Sequence, residues 1–253
     1  MEKLAVWSEH CPVRFNAIDS SNTMTLSAVM GFLQEAAISH AENLGVGRRA
    51  MASSNQVWIL SRMSVQIDCR PAFGETVTVR TWPRGWEKLY ALRDYDILNL
   101  NDVPVRARSY WIIIDMEKRR PLRPHSVMDY LPLNEGMDAL ESAVNLAENP
   151  NLEKKGERGA LYTDVDYNGH VNNVSYIRWI EDALDPGLLA KARRMKLDIN
   201  YMHEVLPGEI TGIWMAPVGS PAGAPAADAH HYAFEGRKIH DNQTAFRAEL
   251  RLW

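Results

Sequence analysis

The stretch Arg62-Met63-Ser64-Val65-Gln66-Ile67-Asp68 recurs later in the chain as Arg194-Met195-Lys196-Leu197-Asp198-Ile199-Asn200. In both copies apolar residues alternate with polar ones, which is the pattern of a half-buried β-strand. A second echo, between Gly74-Glu75 and Gly208-Glu209, lies at nearly the same distance along the chain. A repeat of this length indicates a duplicated domain rather than a solenoid of short units.

Each copy of the repeated strand follows a predicted helix. In the first half, apolar residues recur with a period of 3.6 and predict one long, deeply packed helix. The stripe consists of Leu26, Val29, Met30, Leu33, Ala37, Ala41 and Leu44. Gly45 stands where a C-terminal cap is expected. In the second half, residues 174–184 predict a helix that Pro186 and Gly187 should end.

Short strands accompany both helices. The predicted strands are residues 12–16, 63–69, 76–82, 89–98, 105–116, 195–201, 209–215, 231–239 and 244–253. Short turns between neighbouring strands imply an antiparallel sheet. A sheet that wraps around a long apolar helix buries the apolar faces of both elements. Each half is therefore predicted to be an α+β unit with one helix inside a sheet.

A polar, proline-containing segment separates the two halves. We predict an N-terminal unit at residues 1–125, a crossover linker at 126–158 with one helix near 137–147, and a C-terminal unit at 159–253. Residues 217–227 are rich in Pro, Gly and Ala, and they predict a mobile hairpin tip.

Composition narrows the class of protein. The chain has 253 residues, of which 46% are apolar, and a net charge of −4, so its charge does not suggest nucleic-acid binding. Cys11 and Cys69 fit no zinc spacing and no disulfide framework, which is typical of a reducing compartment. The first residues are too polar for a signal peptide, and no apolar run approaches the ~20 residues of a membrane span. We expect a soluble, cytoplasmic protein that does not bind membranes.

Two carboxylates, three asparagines and a histidine lie close together in the stretch Tyr162-Thr163-Asp164-Val165-Asp166-Tyr167-Asn168-Gly169-His170-Val171-Asn172-Asn173. Asn172 or Asn173 can cap the helix that follows by accepting backbone N–H bonds. Titratable groups would then gather at the positive end of a helix dipole, where an oxyanion is stabilised. The same residues are also compatible with a plain Asn-Gly turn and a helix cap.

The segment Asp164-Val165-Asp166-Tyr167-Asn168-Gly169-His170-Val171-Asn172-Asn173-Val174 closely resembles the D-x-N-x-H-V-N-N segment of acyl-ACP thioesterases, where ACP is acyl carrier protein. Two further stretches, Val57 to Met63 and Arg108 to Met116 with Arg119-Arg120, resemble strands of the same family. Plant plastid enzymes and shorter bacterial homologues share these features, and the lack of a transit-peptide-like leader favours a bacterial form. The resemblance implies a tandem, or double, hotdog fold.

The resemblance also implies an activity and its residues. The activity is hydrolysis of acyl-ACP to free fatty acid and holo-ACP, which ends fatty acid synthesis, with no cofactor and no metal. The catalytic positions of the family fall on Asp166, Asn168, His170 and a downstream Glu204. Plant members carry a cysteine after that glutamate, but Val205 stands here, which disfavours a Cys-His mechanism.

We expect water to attack the thioester with assistance from Glu204, while Asn168 and His170 position it and Asp166 fixes the histidine or the asparagine. The division of roles between the two carboxylates stays open at this point. Backbone N–H groups at the second helix would complete an oxyanion hole. By strand alternation, Glu204 should face away from the helix, so it reaches the site only if the strand bulges or ends near residues 203–205.

The first half carries no Asp-x-Asn-x-His set, so it is expected to supply the acyl tunnel. We expect Leu26, Met30 and Leu33 to line that tunnel and to set chain length. Four tryptophans are expected to pack in the core or sheet rather than to contact substrate: Trp58, Trp82, Trp86 and Trp111.

Several alternatives remain at this level. An acyl-CoA hotdog thioesterase and a non-catalytic acyl-thioester binder are the competing functions, and a dehydratase fits the motif order less well. A homodimer is one expected assembly.

The pair His230-His231 is expected to be solvated rather than metal-binding. Three basic clusters could grip an acidic carrier or be ordinary surface charge: Arg48-Arg49, Lys118-Arg119-Arg120 with Arg123, and Lys191 with Arg193-Arg194.

Overall fold

The computed structural model describes residues 2–100, 102–123, 125–219 and 230–253. The first half contains β1 (Trp7–Pro12), α1 (Leu26–Leu44), α2 (Arg48–Ser53), β2 (Gln56–Ile67), β3 (Thr76–Glu87), β4 (Tyr90–Asn99), β5 (Asp102–Asp115), β6 (Arg120–Leu122) and α3 (His125–Met128). The second half contains β7 (Glu153–Gly159), α4 (Asn173–Glu181), α5 (Pro186–Lys191), β8 (Met195–Tyr201), β9 (Ile210–Pro217), β10 (His230–Lys238) and β11 (Thr244–Leu252). From residue 220 onward, the predicted hairpin tip lies outside the described residues.

The strands of these described ranges form a single antiparallel sheet. Its order is β1-β3-β4-β5-β2-β8-β11-β10-β9-β7, with β6 paired to β5. The two halves join where β2 pairs with β8, which are the two copies of the repeated stretch. Val65 and Leu197 are equivalent positions of the repeat, and they pair directly with each other. A pseudo-two-fold axis therefore passes between these two residues.

Helix α1 forms where its apolar period predicts it, and its two ends are capped. The side chain of Thr25 accepts a hydrogen bond from the N–H of Ala28, which begins the helix. Gly45 ends it in the left-handed conformation at φ +77°. The buried face of α1 packs into one apolar core that also contains residues of α4, β8 and β11. The two halves therefore share a core as well as a sheet.

Helix α4 ends earlier than its pattern predicts. It stops at Glu181, and Pro186 begins the next helix, α5, instead of ending α4. The side chain of Asp185 accepts from the N–H of Leu188 at 2.9 Å and caps α5. Proline fits the first position of a helix because its missing N–H has no intrahelical partner there.

The opening strand also differs from its prediction. Strand β1 spans Trp7–Pro12 and pairs with β3 at the edge of the sheet, and residues 15–17 form a 3-10 turn rather than a strand. Alternation between half-buried and exposed residues runs through β1 and stops at Pro12, where the chain turns away from the edge.

The segment that joins the halves has no helix at residues 137–147. Trp82 donates its indole N–H to the carbonyl of Met137 at 2.8 Å, and Asp94 accepts from the N–H of Ala139 at 2.8 Å. Side chains of the first half thus bind backbone groups of this segment and hold it in a non-helical conformation. The end of the predicted linker forms β7, which pairs with β9 and extends the sheet of the second half. Within the described ranges, no helix is long and apolar enough to cross a bilayer.

Candidate active site

The stretch that precedes α4 folds into a tight turn. Val165 and Val171 face each other across an isolated bridge, and the N–H of Asp166 donates to the carbonyl of His170 at 2.9 Å. The N–H of Gly169 donates back to the carbonyl of Asp166 at 3.0 Å. Gly169 has φ +80°, a conformation that costs glycine little. The turn therefore brings residues 166–170 together at the start of the helix.

Within this turn, Asp166 holds Asn168. One carboxylate oxygen, Oδ1, accepts from the backbone N–H of Asn168 at 2.8 Å. The other, Oδ2, lies 3.4 Å from the side-chain Nδ2 of Asn168. With its nitrogen turned toward the carboxylate, the amide presents its oxygen Oδ1 on the opposite side, where it can accept a hydrogen bond from water. Of the two partners expected for Asp166, the side-chain contact is with the asparagine.

The structure brings His170 and Glu204 together. Strand β8 ends at Tyr201, so Glu204 lies in the segment after the strand and is not bound by its alternation. The N–H of Val171 donates to the carbonyl of Val205 at 2.9 Å and draws that segment against the turn. His170 Nε2 then lies 3.2 Å from Glu204 Oε2, and both side chains are partly exposed to solvent.

Two neighbouring residues have structural contacts. Asp164 accepts from the N–H of Leu161 through its carboxylate at 3.1 Å and from the N–H of Asn172 through its carbonyl at 2.8 Å. Val205, at the position where plant members carry a cysteine, is fully buried in the shared core.

Helix α4 begins at the turn with its positive end. Asn172, rather than Asn173, is the cap, since its side chain accepts from the N–H of Val174 at 2.8 Å. The N–H of Asn173 comes before the intrahelical hydrogen bonds of α4 begin. It is therefore available to an oxygen atom of a bound molecule, at a helix end that favours negative charge.

A cavity of about 520 Å³ opens beside this helix end. Its second-half wall consists of Asp166, Tyr167, Asn168, Asn172 and Asn173. The rest of the lining comes from the first half and is largely apolar, with side chains such as Ile38, Ala41, Met51, Trp58, Leu92 and Trp111. A mostly apolar cavity of this size with a few polar groups at one wall is the usual form of a small-molecule site. His170 and Glu204 stand beside that wall rather than in the lining.

The residues that line the cavity correct two expectations. Leu26, Met30 and Leu33 do not line it, because these side chains of α1 point into the shared core. The lining on α1 comes from a more C-terminal part, where Ile38 and Ala41 face the cavity.

The tryptophans divide into two groups. Trp58 and Trp111 line the cavity, contrary to expectation, while Trp82 is buried as expected. Trp86 packs against Trp58 with ring centres 6.3 Å apart. Strand alternation predicts that a tryptophan side chain is buried, but it does not distinguish a side chain packed in the core from one that lines a cavity.

A neutral histidine lies behind the cavity wall. His40 is buried on α1, and burial, together with the charge of Arg93, lowers the pKa of His40 to about 4. Its Nε2 donates to the carbonyl of Leu4 at 2.9 Å, and its Nδ1 accepts from Arg93 Nη1 at 3.0 Å. Arg93 lines the cavity and is oriented by this neutral ring.

The first half contains a copy of the turn with different chemistry. The N–H of Asp19 donates to the carbonyl of Thr23 at 3.1 Å, and the N–H of Ser21 donates to Asp19 Oδ1 at 2.8 Å. Asn22, at φ +64°, takes the place of Gly169. Thr23 therefore stands at the position of His170, and the first copy lacks an imidazole.

Arg70 stands where the second half has Glu204. The N–H of Met24 donates to the carbonyl of Pro71, as that of Val171 does to Val205. Arg70 is buried and forms an ion pair with Asp19. Burial opposes ionisation of Asp19, but hydrogen bonds from Ser21 and Arg70 hold its pKa below the usual value. The first copy of the turn is thus a structural ion pair without a candidate base.

The histidine pair His230-His231 and the basic clusters are the remaining candidate features. His231 Nε2 lies 2.9 Å from Glu249 Oε2, and the ring of His230 stacks on Tyr232. In the part of the chain that the structure describes, no group of three or more His, Cys, Asp or Glu side chains could hold a metal ion. Of the three basic clusters, only the pair Arg48-Arg49 has a described member in the cavity lining: Arg48, whose guanidinium sits 4.1 Å from the centre of the Tyr167 ring.

Comparison with known protein families finds a matching family model for each half of the chain. The acyl-ACP thioesterase N-terminal domain matches residues 5–130, and the acyl-ACP thioesterase C-terminal domain matches residues 153–248. The chain belongs to the acyl-ACP thioesterase family. This confirms the family that the motif at residues 164–174 indicates.

Two plant proteins are among the relatives that this chain resembles. A chloroplastic acyl-[acyl-carrier-protein] hydrolase, FATB2, of Cuphea viscosissima is 29% identical over 223 residues, which cover 79% of this chain and 52% of that protein. A chloroplastic palmitoyl-acyl carrier protein thioesterase of Arabidopsis thaliana is 24% identical over 245 residues, which cover 89% of this chain and 60% of that protein. The chain therefore spans between half and two thirds of the length of these relatives.

Solved structures of the family share the fold. An acyl-ACP thioesterase from Bacteroides thetaiotaomicron superposes with a TM-score of 0.82 at 21% identity, over 98% of both chains. The 12:0-ACP thioesterase from Umbellularia californica superposes with a TM-score of 0.80 at 18% identity, over 98% of this chain and 94% of that one. The acyl-ACP thioesterase family adopts the double hotdog fold, and these likenesses confirm it here.

Proposed function

We propose that this protein hydrolyses fatty acyl-ACP thioesters to free fatty acid and holo-ACP. One observation carries the proposal: an apolar cavity built by the first half ends at a polar wall built by the family motif of the second half. An acyl chain is an apolar ligand that would fill such a cavity and place its thioester at the polar wall. The named activities of the relatives agree with this reading.

The proposed reaction uses water as the nucleophile. Asn168 holds the water through its free amide oxygen, and Asp166 holds Asn168 in place. The thioester carbonyl lies near the N–H of Asn173, where the positive end of α4 stabilises the oxyanion. Position 205 offers no thiol, because the residue there is a valine.

Proton transfer in this proposal uses the pair His170 and Glu204. With His170 Nε2–H directed at the Glu204 carboxylate, the other ring nitrogen, Nδ1, is free to accept a proton from water. Glu204 accepts the Nε2–H hydrogen bond and stabilises the imidazolium that forms, so the pair acts as one base. Collapse of the tetrahedral intermediate breaks the carbon–sulfur bond, and the pair returns the proton to the thiolate that leaves with the electron pair.

The two halves would have different roles in this reaction. In the proposed division, the unit at residues 1–125 supplies the acyl pocket and the unit at 159–253 supplies the catalytic residues, with 126–158 between them. Cys11 and Cys69 are both free thiols. Free thiols are usual in a reducing compartment, which supports a cytoplasmic location that cell fractionation would test.

A matched substrate panel tests the function. Acyl-ACP and acyl-CoA thioesters of medium to long chain length are incubated with wild type, Asn168→Ala and Glu204→Gln, and free fatty acid is measured. A third variant, Glu157→Gln, controls for loss of a carboxylate, because Glu157 lies on β7 and, among the described residues, its carboxylate forms an ion pair only with Lys154 on the surface. We expect release of fatty acid from acyl-ACP by wild type and control, and a loss of about 100-fold or more in the two site variants.

Other outcomes of the panel would change the proposal. Turnover of CoA esters alone would make the protein an acyl-CoA thioesterase. Tight binding of acyl thioesters without turnover would make it a binding protein. Full activity of Glu204→Gln would remove the proton path while leaving the activity in place.

A further inference from the structure

The start of helix α1 is already occupied by an oxygen atom from the other half. Glu181, the last residue of α4, accepts hydrogen bonds through Oε1 from the N–H of Leu26 at 2.8 Å and the N–H of Ser27 at 3.3 Å. Burial raises the pKa of this carboxyl group. The first N–H groups of a hotdog helix in this chain therefore do bind a carboxyl oxygen.

The pseudo-two-fold axis relates this contact to the cavity. Thr25 and Asn172 are the equivalent caps of α1 and α4. Counted from those caps, the residue of α1 that corresponds to Glu181 is Gln34. Because α1 and α4 pack on each other, the axis places Gln34 against the start of α4, as it places Glu181 against the start of α1.

The lining of the cavity agrees with this placement. Gln34 lines the same cavity as Asn172 and Asn173, at the start of α4. Its side chain is half-buried and makes no hydrogen bond to any residue that the structure describes. An amide with two N–H donors and one acceptor thus faces the site without a partner in the protein.

The change from a carboxylate to an amide has a chemical reason. A carboxylate at position 34 would cap α4 as Glu181 caps α1, and it would fill the place of an incoming oxyanion. A neutral amide leaves the N–H of Asn173 open and adds a donor of its own. Glu181 therefore occupies the N–H groups at the start of α1, whereas Gln34 leaves those at the start of α4 available to a ligand.

We propose that Gln34 donates its side-chain Nε2–H to the thioester carbonyl oxygen, alongside the N–H of Asn173. As the water oxygen bonds to the carbonyl carbon, the π electron pair moves onto the oxygen, which both donors then stabilise. The pair returns when the carbon–sulfur bond breaks and the thiolate leaves. This proposal rests on the proposed thioester hydrolysis.

The test separates kcat from KM for acyl-ACP hydrolysis by wild type, Gln34→Ala and Gln34→Glu. Removing an oxyanion donor should lower kcat by about 100-fold and leave KM within about threefold, because the donor acts on the transition state. Gln34→Glu should lose activity at neutral pH and regain part of it as the pH falls, since a protonated carboxyl group can donate again. A merely structural role would not produce that pH profile.

The matched control is Glu181→Gln, the same chemical exchange at the mirrored position. It changes the cap of α1 and not the cavity, so it should lower the melting temperature while kcat of the folded protein stays within about twofold. Circular dichroism confirms folding of each variant, and the nearly isosteric Gln34→Glu still decides the matter if Gln34→Ala fails to fold.

Two results would overturn the proposal, and they can be told apart. If wild type hydrolyses acyl-ACP and Gln34→Ala keeps its kcat, Gln34 is not an oxyanion donor, although the proposed function stands. If wild type hydrolyses no thioester at all, the proposed function fails and the role of Gln34 fails with it.

Discussion

Asp19 and Asp166 begin the same turn in the two halves, but they have different partners. Asp19 pairs with the buried Arg70, whereas Asp166 binds Asn168 at the cavity wall. A buried ion pair fixes structure, while a catalytic carboxylate or imidazole must reach water and substrate. A single exchange, arginine for glutamate at the segment after the repeated strand, accounts for much of this difference.

Substitution of Arg70 should mainly lower stability, whereas substitution of the equivalent residue, Glu204, should mainly lower activity. Arg70→Met leaves Asp19 without its cation and removes hydrogen bonds to the carbonyls of Met24 and Leu189, so we expect a loss of about 3–5 kcal/mol in the free energy of unfolding. Glu204→Gln, at a half-exposed position, should cost no more than about 0.5 kcal/mol and yet abolish most activity. Urea unfolding and fatty acid release measure the two quantities. Equal stability losses would contradict the assignment of one copy to structure and the other to chemistry.

Buried His40 should make stability depend on pH. Its pKa is about 4 in the folded protein and about 6.5 when unfolded, so the unfolded chain binds more protons between these values. Stability is then fully present above pH 6.5 and falls as the pH is lowered toward 4. Between pH 7 and pH 5, wild type should lose about 2 kcal/mol more than His40→Gln. His10→Gln, at an exposed position on β1, is the control and should behave as wild type.

At the scale of elements, α1 performs two tasks along its length. Its N-terminal turns bury Leu26, Met30 and Leu33 in the shared core, and its later turns line the cavity. Two glycines allow a matched test, one at the C-terminal cap of α1 and one in its interior. Gly45→Ala should destabilise by about 1 kcal/mol because φ is +77° there, although nothing crowds the new methyl group.

Gly31→Ala should have the opposite effect. Gly31 lies inside α1 with open space around its α-carbon, so alanine should raise the free energy of unfolding by about 0.5–1 kcal/mol. Thermal unfolding of both variants compares them directly. A loss of stability in Gly31→Ala would show that the helix needs the glycine for packing.

The position of the cavity along α1 predicts where chain length is set. Ala41 lies about two helical turns beyond Gln34, so it is farther from the thioester end of the cavity, and it packs beside Trp58. Ala41→Phe should shorten the cavity and shift the released fatty acids toward shorter chains. Met30→Leu, a volume-conserving change in the core, should leave the product distribution unchanged. Gas chromatography of the products would refute this if Met30→Leu shifted chain length and Ala41→Phe did not.

For the whole molecule, the fold places Arg48 of the first half against Tyr167 in the motif of the second, and Arg49 follows Arg48 in the chain. The chain is acidic overall, so a local positive site at the cavity would attract an acidic carrier. Arg48→Glu with Arg49→Glu should raise KM for acyl-ACP by roughly tenfold at low salt and weaken its dependence on ionic strength.

The control for this charge reversal is Lys191→Glu with Arg193→Glu, which does not line the cavity. It should leave KM near the wild-type value. Arg49→Glu alone separates carrier binding from the contact between Arg48 and Tyr167. An equal rise in KM for both double variants would mean that net charge, and not this surface, governs binding.

The sequence by itself determined the repeated units, most of their strands, helix α1 with its cap, and the motif of the candidate active site. These features depend on local information: alternation with period 2, apolar residues with period 3.6, and glycine or asparagine at particular turns. The family resemblance added Glu204, and the parity of β8 required the strand to bulge or to end before Glu204 could approach the turn; the strand ends at Tyr201.

Only the tertiary structure decided which distant residues meet. The contact of Glu204 with His170, the ion pair of Arg70 with Asp19, and the shared cavity lining of Gln34 and Asn173 join residues that are far apart in the chain. The missing helix at 137–147 has the same cause, because side chains of the first half bind its backbone groups. Local patterns fix how a segment folds, but they carry no information about which surface it meets, and at this site that surface belongs to the other half.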